Sequence, residues 1–93
     1  MMKVLVACGC GMGSSQLLKM RVAEVFKKYS LEADFTHTSI DEAKNIQREY
    51  DLIVVSETFV DNFKSGKAVV IGMKNLMSKA ELEEKLKAKG ILS

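Results

Sequence analysis

One segment of the 93-residue chain joins a potential nucleophile to a run of glycines. Residues 8–15 read Cys-Gly-Cys-Gly-Met-Gly-Ser-Ser. Glycine permits positive φ and close backbone approach, so the amides of such a loop can converge on an anion, aided by the positive end of a following helix. The same amides stabilise a thiolate, so we expect the pKa of Cys8 to lie below the ordinary thiol value. Residues 8–15 therefore predict a phosphate-holding loop beside a reactive cysteine.

The spacing of the glycines argues against a nucleotide site. Gly9, Gly11 and Gly13 alternate, whereas the dinucleotide fingerprint is Gly-x-Gly-x-x-Gly, and no lysine follows as a P-loop requires. A sensor that binds an anion without forming a bond stays open as an alternative. Such a sensor would keep its affinity after Cys8→Ser.

The small cysteine phosphatases and the arsenate reductases are a second alternative. Their loop is Cys-x5-Arg, in which the guanidinium grips the phosphoryl oxygens, but six residues after Cys8 this chain has Ser14 and the nearest arginine is Arg21. The chain also lacks proline, so it has no Asp-Pro segment to supply the general acid. We therefore expect slow hydrolysis, and a phosphoryl group on Cys8, held by the loop amides and the hydroxyls of Ser14 and Ser15, would await another acceptor.

The remaining titratable groups near this loop are few. Cys10 lies two residues from Cys8, so a reversible disulfide or redox switch is a further alternative. With His37 as the single histidine, the ligands are too few for a tetrahedral metal centre. We predict no metal and no cofactor, and we interpret His37 as a structural or surface residue.

Composition limits the class of protein. Length predicts one domain over residues 1–93. The longest apolar run, residues 4–8, is too short to cross a bilayer, so we expect a cytoplasmic protein without membrane insertion. Residues 31–62 carry eight acidic and two basic side chains, and aromatic residues make up only 6% of the chain, so we expect no nucleic-acid partner.

The periodicity of apolar residues alternates between that of strands and that of helices. It predicts strands at 3–8, 31–37, 51–56 and 67–71, with Gly72 ending the last, a short helix or compact loop at 57–66, and helices from Ser14, after Ser39 and after Ser78. Each of the last two helices begins with a Ser-x-x-Glu capping box.

The alternation of strands and helices predicts a four-stranded, doubly wound parallel sheet of order 2-1-3-4, a flavodoxin-like or Rossmann-like three-layer sandwich. In that order the switch point, where ligands bind, lies at the end of strand one and therefore at residues 8–15.

Other side chains are expected at the rim of this site. Glu57, Thr58 and Lys74 follow strands three and four, and either dock a partner or are simply solvated. Met12, Met73 and Met77 either form an adaptable docking rim or pack in the usual way.

The chain resembles the IIB components of the phosphoenolpyruvate-dependent sugar phosphotransferase system, of the ascorbate type with its galactitol relatives. The likeness spans nearly the whole chain and is strongest at residues 6–15 with Lys19-Met20 behind them, and at residues 69–76 (Val-Val-x-Gly-Met-Lys-Asn-Leu). Cys10 departs from the pattern, because related loops more often have Asn there.

The resemblance implies a transferase that carries a phosphoryl group as phosphocysteine during sugar transport. Cys8 would accept the group from a histidine on the partner IIA protein and deliver it to substrate, ascorbate by the resemblance, in the membrane transporter IIC. The family's phosphate-binding loop would correspond to Gly9, Cys10, Gly11, Met12, Gly13, Ser14 and Ser15. The sequence does not distinguish ascorbate from galactitol or another polyol, because the transporter contacts the sugar.

Overall fold

The computed structural model describes residues 2–7, 12–63, 68–74 and 78–91, with the backbone alone for residues 12–15. In chain order, the described elements are β1 (Met2–Ala7), α1 (Met12–Lys28), β2 (Ala33–Thr38), α2 (Ile40–Ile46), a first 3-10 helix (Gln47–Glu49), β3 (Leu52–Ser56), a second 3-10 helix (Glu57–Phe63), β4 (Val69–Met73) and α3 (Lys79–Ala88).

The strands form a four-stranded sheet of order β2-β1-β3-β4, and every pairing is parallel. Val6 lies opposite His37 of β2 on one side and opposite Val54 of β3 on the other. Val54 in turn lies opposite Ile71 of β4. The predicted strand order and the parallel sheet are therefore confirmed.

Apolar side chains cover both faces of the sheet, because successive strand residues point to opposite sides. In β1, Val4 and Val6 pack with α1 and α3, whereas Leu5 and Ala7 pack with α2 and the second 3-10 helix. All four side chains are completely buried. Helices thus lie on both faces, as the three-layer prediction requires.

The predicted helical stripes account for much of this core. On α1, the side chains of Leu18, Val22, Val25 and Phe26 are buried, and Phe26 packs edge-on against Phe35 of β2 with 5.3 Å between ring centroids. On α3, Leu82 and Leu86 are buried as expected.

The serines of the two predicted capping boxes begin their helices. The Ser39 hydroxyl accepts a hydrogen bond from the Glu42 N–H at 3.3 Å, and the Ser78 hydroxyl accepts one from the Glu81 N–H at 3.2 Å. Both serines have extended backbone, as N-cap residues do.

Several predicted boundaries are wrong. β1 begins at Met2, one residue before its predicted start, and β2 begins at Ala33, two residues after its own, because the Leu31 N–H donates to the Phe26 carbonyl at the end of α1. α1 begins at Met12, two residues before the predicted start, because the apolar stripe begins only at Leu18 and gives no signal for the first turn.

β4 does not stop before Gly72 but continues to Met73. Glycine is present at position 72 because β4 passes close to the second 3-10 helix there, so it is not a signal that the strand ends. A Cβ atom on Gly72 would overlap Val60 Cγ2 and lie 3.0 Å from Glu57 Cα of the second 3-10 helix.

Ion pairs join α1 to α3 beside the shared core. Lys79 Nζ contacts Glu24 Oε2, and Lys28 Nζ donates to Glu83 Oε1 at 3.0 Å. The hydrogen bond from Lys79 lowers the pKa of Glu24, and the hydrogen bond from Lys28 lowers the pKa of Glu83. Solvent screens these ion pairs, so they contribute little to the free energy of unfolding and mainly orient α3 relative to α1.

Candidate functional site

The candidate site lies at the edge of the sheet where all four strands end. Parallel strands bring their carboxyl ends together, so Ala7, Thr38, Ser56 and Met73 share this edge. After β1 the chain passes to β2 on one side, and after β2 it passes to β3 on the other. The carboxyl end of β1 is therefore the topological switch point at which open α/β sheets bind ligands.

The sequence-predicted nucleophile follows this point in the chain. Ala7 is the last residue of β1, it is fully buried, and its neighbour in sequence is Cys8. The predicted site residues Cys8, Gly9, Cys10 and Gly11 lie outside the described residues.

The other predicted loop residues form the first turn of a helix. Met12, Gly13, Ser14 and Ser15 begin α1. The first N–H groups of an α-helix have no acceptor within the helix, and the helix dipole adds partial positive charge there. The first turn of α1 contains no acidic residue that would oppose an anion. These backbone groups are therefore suited to a phosphoryl group held between β1 and α1.

His37 lies one residue before the end of β2, at the predicted edge of the sheet. Its strand partner is Val6, and its side chain is half-buried. Alternation with Phe35 places it on the α1 face. Among the described residues there is no group of three His, Cys, Asp or Glu side chains that could hold a metal ion.

The rim residues lie where the sequence places them. Glu57 and Thr58 are exposed in the second 3-10 helix directly after β3, and Lys74 is exposed directly after β4. Met73 is buried in the core, so it packs and does not dock. The side chain of Met12, and Met77 as a whole, lie outside what the structure describes.

Sequence reasoning missed two features close to this edge. On α1, the apolar side chains of Leu17 and Met20 are 48% and 52% exposed. Their exposure could have been predicted, because both residues lie outside the apolar stripe that faces the core. On α3, the Glu81 carboxylate accepts a hydrogen bond from the backbone N–H of Lys74 at 2.8 Å. The sequence assigned Glu81 only to a helix cap and gave no signal for this tertiary contact.

Within the parts of the chain that the structure describes, no helix combines the length and the apolar character needed to span a bilayer.

Comparison with known proteins identifies similar chains. The family model described as "PTS system, Lactose/Cellobiose specific IIB subunit" matches residues 3–88. The ascorbate-specific PTS system EIIB component of Mycoplasma pneumoniae is 31% identical over 84 residues, which cover 89% of this chain and 88% of that protein. The protein of the same name from Salmonella typhimurium is 27% identical over 85 residues, covering 90% and 84%.

A solved structure shares the fold. The lactose-specific IIB domain of the phosphoenolpyruvate:carbohydrate phosphotransferase system from Streptococcus pneumoniae superposes with a TM-score of 0.66. The match covers 92% of this chain and 95% of that one at 19% identity, so it supports the architecture alone.

Proposed function

Because the chain belongs to the lactose/cellobiose-specific IIB family of the sugar phosphotransferase system, we propose that it carries a phosphoryl group on the thiol of Cys8. The observation that carries this proposal is the position of Cys8 in the chain, directly between the end of central strand β1 and the first turn of α1. A thiolate there is close in sequence to the helix amides that suit an anion.

The proposed reaction has two transfers. In the first, the Cys8 sulfur attacks phosphorus of a phosphohistidine on IIA, so the S–P bond forms as the N–P bond breaks and the imidazole takes up a proton. In the second, a sugar hydroxyl attacks the same phosphorus, so an O–P bond forms, the hydroxyl proton is released and the thiolate is regenerated. The chain ends unchanged and needs no cofactor.

The loop's composition favours transfer over hydrolysis. Backbone amides of residues 9–15 and the hydroxyls of Ser14 and Ser15 would hold the phosphoryl oxygens. Ser14 stands where the small cysteine phosphatases have arginine, and no Asp-Pro segment supplies an acid for the leaving group. The phosphocysteine would therefore persist until the second partner binds.

We propose IIA and the membrane transporter IIC as the partners, and the cytoplasm as the place where they meet this protein. The substrate class is a sugar or sugar acid, with ascorbate favoured because the curated relatives named above are ascorbate-specific components. Both partners must reach Cys8, so their docking surfaces overlap. A stable complex of all three proteins would contradict that overlap.

Intact-mass measurement tests the function. After incubation with phosphoenolpyruvate and the upstream phosphotransferase proteins, the wild-type chain should gain one phosphoryl group. Adding membranes that contain the ascorbate transporter and ascorbate should remove it, whereas membranes with a galactitol transporter and galactitol should not. A chain that gains no group, or gains it only at His37, would overturn the proposal.

Leu17 and Met20 provide a separate test of docking to IIA. They lie three residues apart in the first half of α1 and expose apolar surface beside the proposed loop. Replacing both with alanine preserves helix propensity and removes this surface. We expect the KM for phosphorylated IIA to rise on the order of tenfold, the loss expected for an apolar contact of interface hot-spot strength.

Leu31 is the matched control for this pair. It is 36% exposed and precedes β2, so it lies toward the opposite edge of the sheet. Leu31→Ala should leave the KM for phosphorylated IIA unchanged. An equal rise in KM for Leu31→Ala and for the double variant would show that α1 is not the docking face.

A further inference from the structure

α3 holds the carboxyl end of β4 through two charged side chains one helical turn apart. Glu81 Oε2 accepts from the backbone N–H of Lys74 at 2.8 Å, and Lys85 Nζ donates to the backbone carbonyl of Gly72. The two side chains also pair with each other, with 2.9 Å between Lys85 Nζ and Glu81 Oε2. We call Glu81 and Lys85 together the β4 clamp.

The clamp takes the place of a neighbouring strand. The sheet order makes β4 an edge strand, and the Val69 N–H donates inward to the Asp51 carbonyl at 3.0 Å. Along a strand, the backbone N–H and C=O groups of every second residue point to the same side. The backbone groups of residues 69, 71 and 73 therefore point toward β3, whereas those of Gly72 and Lys74 point away from the sheet. There the Glu81 carboxylate substitutes for a strand carbonyl and the Lys85 ammonium for a strand N–H.

The side chains of the clamp are less exposed than those of the ion pair between Glu24 and Lys79. The side chains of Glu81 and Lys85 are 19% and 34% exposed, whereas those of Glu24 and Lys79 are 45% and 49% exposed. Charged hydrogen bonds to backbone groups gain strength when water is partly excluded. The clamp therefore gives the Lys74 N–H an acceptor that an edge strand would otherwise lack.

Lys74 is the residue that the clamp presents. Met73 pairs with Ser56 at the carboxyl edge, and Lys74 follows it with an exposed side chain. A phosphoryl donor that docks over this edge brings concentrated negative charge, and an ammonium group held at the edge accelerates its association.

We propose that Glu81 and Lys85 are positioning residues for phosphoryl transfer, acting through Lys74, which meets the negatively charged donor. This inference rests on the function proposed above. It assigns to Lys74 a contact with the partner, and to the clamp the task of holding the backbone of Lys74 in place.

Kinetics of transfer from phosphorylated IIA test the inference. Lys74→Met should raise the KM for the donor on the order of tenfold with little change in kcat, and the effect should shrink at high ionic strength. Glu81→Ala should raise KM in the same way. The double variant should be no worse than the more affected single variant, because Glu81 acts through Lys74.

Exposed residues of the same types on or next to α3 provide the controls. Glu84→Ala and Lys89→Met change exposed side chains outside the clamp, and both should transfer as the wild type does. If Glu81→Ala matches Glu84→Ala, or if the effects of Lys74→Met and Glu81→Ala multiply in the double variant, the inference is wrong.

Amide exchange at Lys74 provides a readout that does not depend on transfer. In Glu81→Ala the Lys74 N–H loses its acceptor, so its exchange should accelerate roughly tenfold, whereas Glu81→Gln retains an acceptor oxygen and should restore most of the protection. Unchanged exchange in Glu81→Ala would show that the clamp does not form. If the wild type takes no phosphoryl group, the proposed function and the clamp's role in it both fail, and the exchange result still reports whether the clamp exists.

Discussion

Cys8→Ala should abolish phosphoryl uptake from phosphorylated IIA. Alanine removes the sulfur to which the proposal assigns the S–P bond, and the backbone amides of the loop cannot accept a phosphoryl group in its place. Cys10→Ala should retain most of the uptake, because the proposal assigns the S–P bond to Cys8 alone. Intact mass and the rate of transfer, measured side by side, separate the two cysteines.

Cys8→Ser distinguishes the carrier from its alternatives. A serine hydroxyl keeps the shape of the side chain but is not ionised near neutral pH, so a carrier loses transfer while an anion sensor keeps its affinity. A cysteine phosphatase would instead turn over an aryl phosphate rapidly in the wild type. Should Cys8→Ala still gain a phosphoryl group that His37→Asn removes, histidine would be the acceptor and the assignment to Cys8 would fail.

Thiol titration measures the physical basis of this difference. The carrier mechanism requires the Cys8 thiolate to be populated near neutral pH, so alkylation of Cys8 in the native protein should be rapid there and should slow after unfolding. The Cys10→Ala background isolates Cys8 for this measurement. Slow alkylation until well above neutral pH would remove the nucleophile on which the transfer depends.

Local sequence patterns were sufficient to predict most of the fold. Short apolar runs predicted strands one, three and four, which are central or covered, whereas alternation of apolar and polar residues predicted strand two, which is an edge strand. The alternation of elements and the rule of right-handed crossovers predicted a doubly wound parallel sheet, and the order 2-1-3-4 followed once strand one was taken as central, which the structure confirms. These patterns depend on residues near one another in the chain.

Features that depend on contacts distant in sequence were not predicted. The sequence around Gly72 looks the same whether glycine ends a strand or accommodates a neighbouring segment. Only the tertiary structure shows that Val60 packs against it. The hydrogen bond from Lys74 to Glu81 likewise joins the residue after β4 to the first turn of α3, two elements that local rules treat separately. The position of the candidate site was predictable because it follows from topology, whereas its supporting contacts were not.

Gly72→Ala should destabilise the protein by about 1–3 kcal/mol, the range for an overpacked site. The new methyl group would overlap Val60 Cγ2, and the Glu57 backbone at 3.0 Å cannot retreat as a flexible side chain can. The second 3-10 helix would have to move away from β4. Because the chain has no tryptophan, urea unfolding followed by circular dichroism is the suitable measurement.

Val60→Ala should partly rescue Gly72→Ala, because it removes the methyl group that the new Cβ would meet. The two substitutions should therefore show a favourable coupling of about 0.5–3 kcal/mol, short of full rescue because the Glu57 backbone remains close. Val69→Ala is the matched control: Val69 is also half-buried, but it packs on the opposite face with α1 and α3, so its effect should add to that of Gly72→Ala. Equal coupling for both pairs would show that contact with the second 3-10 helix is not what requires glycine at position 72.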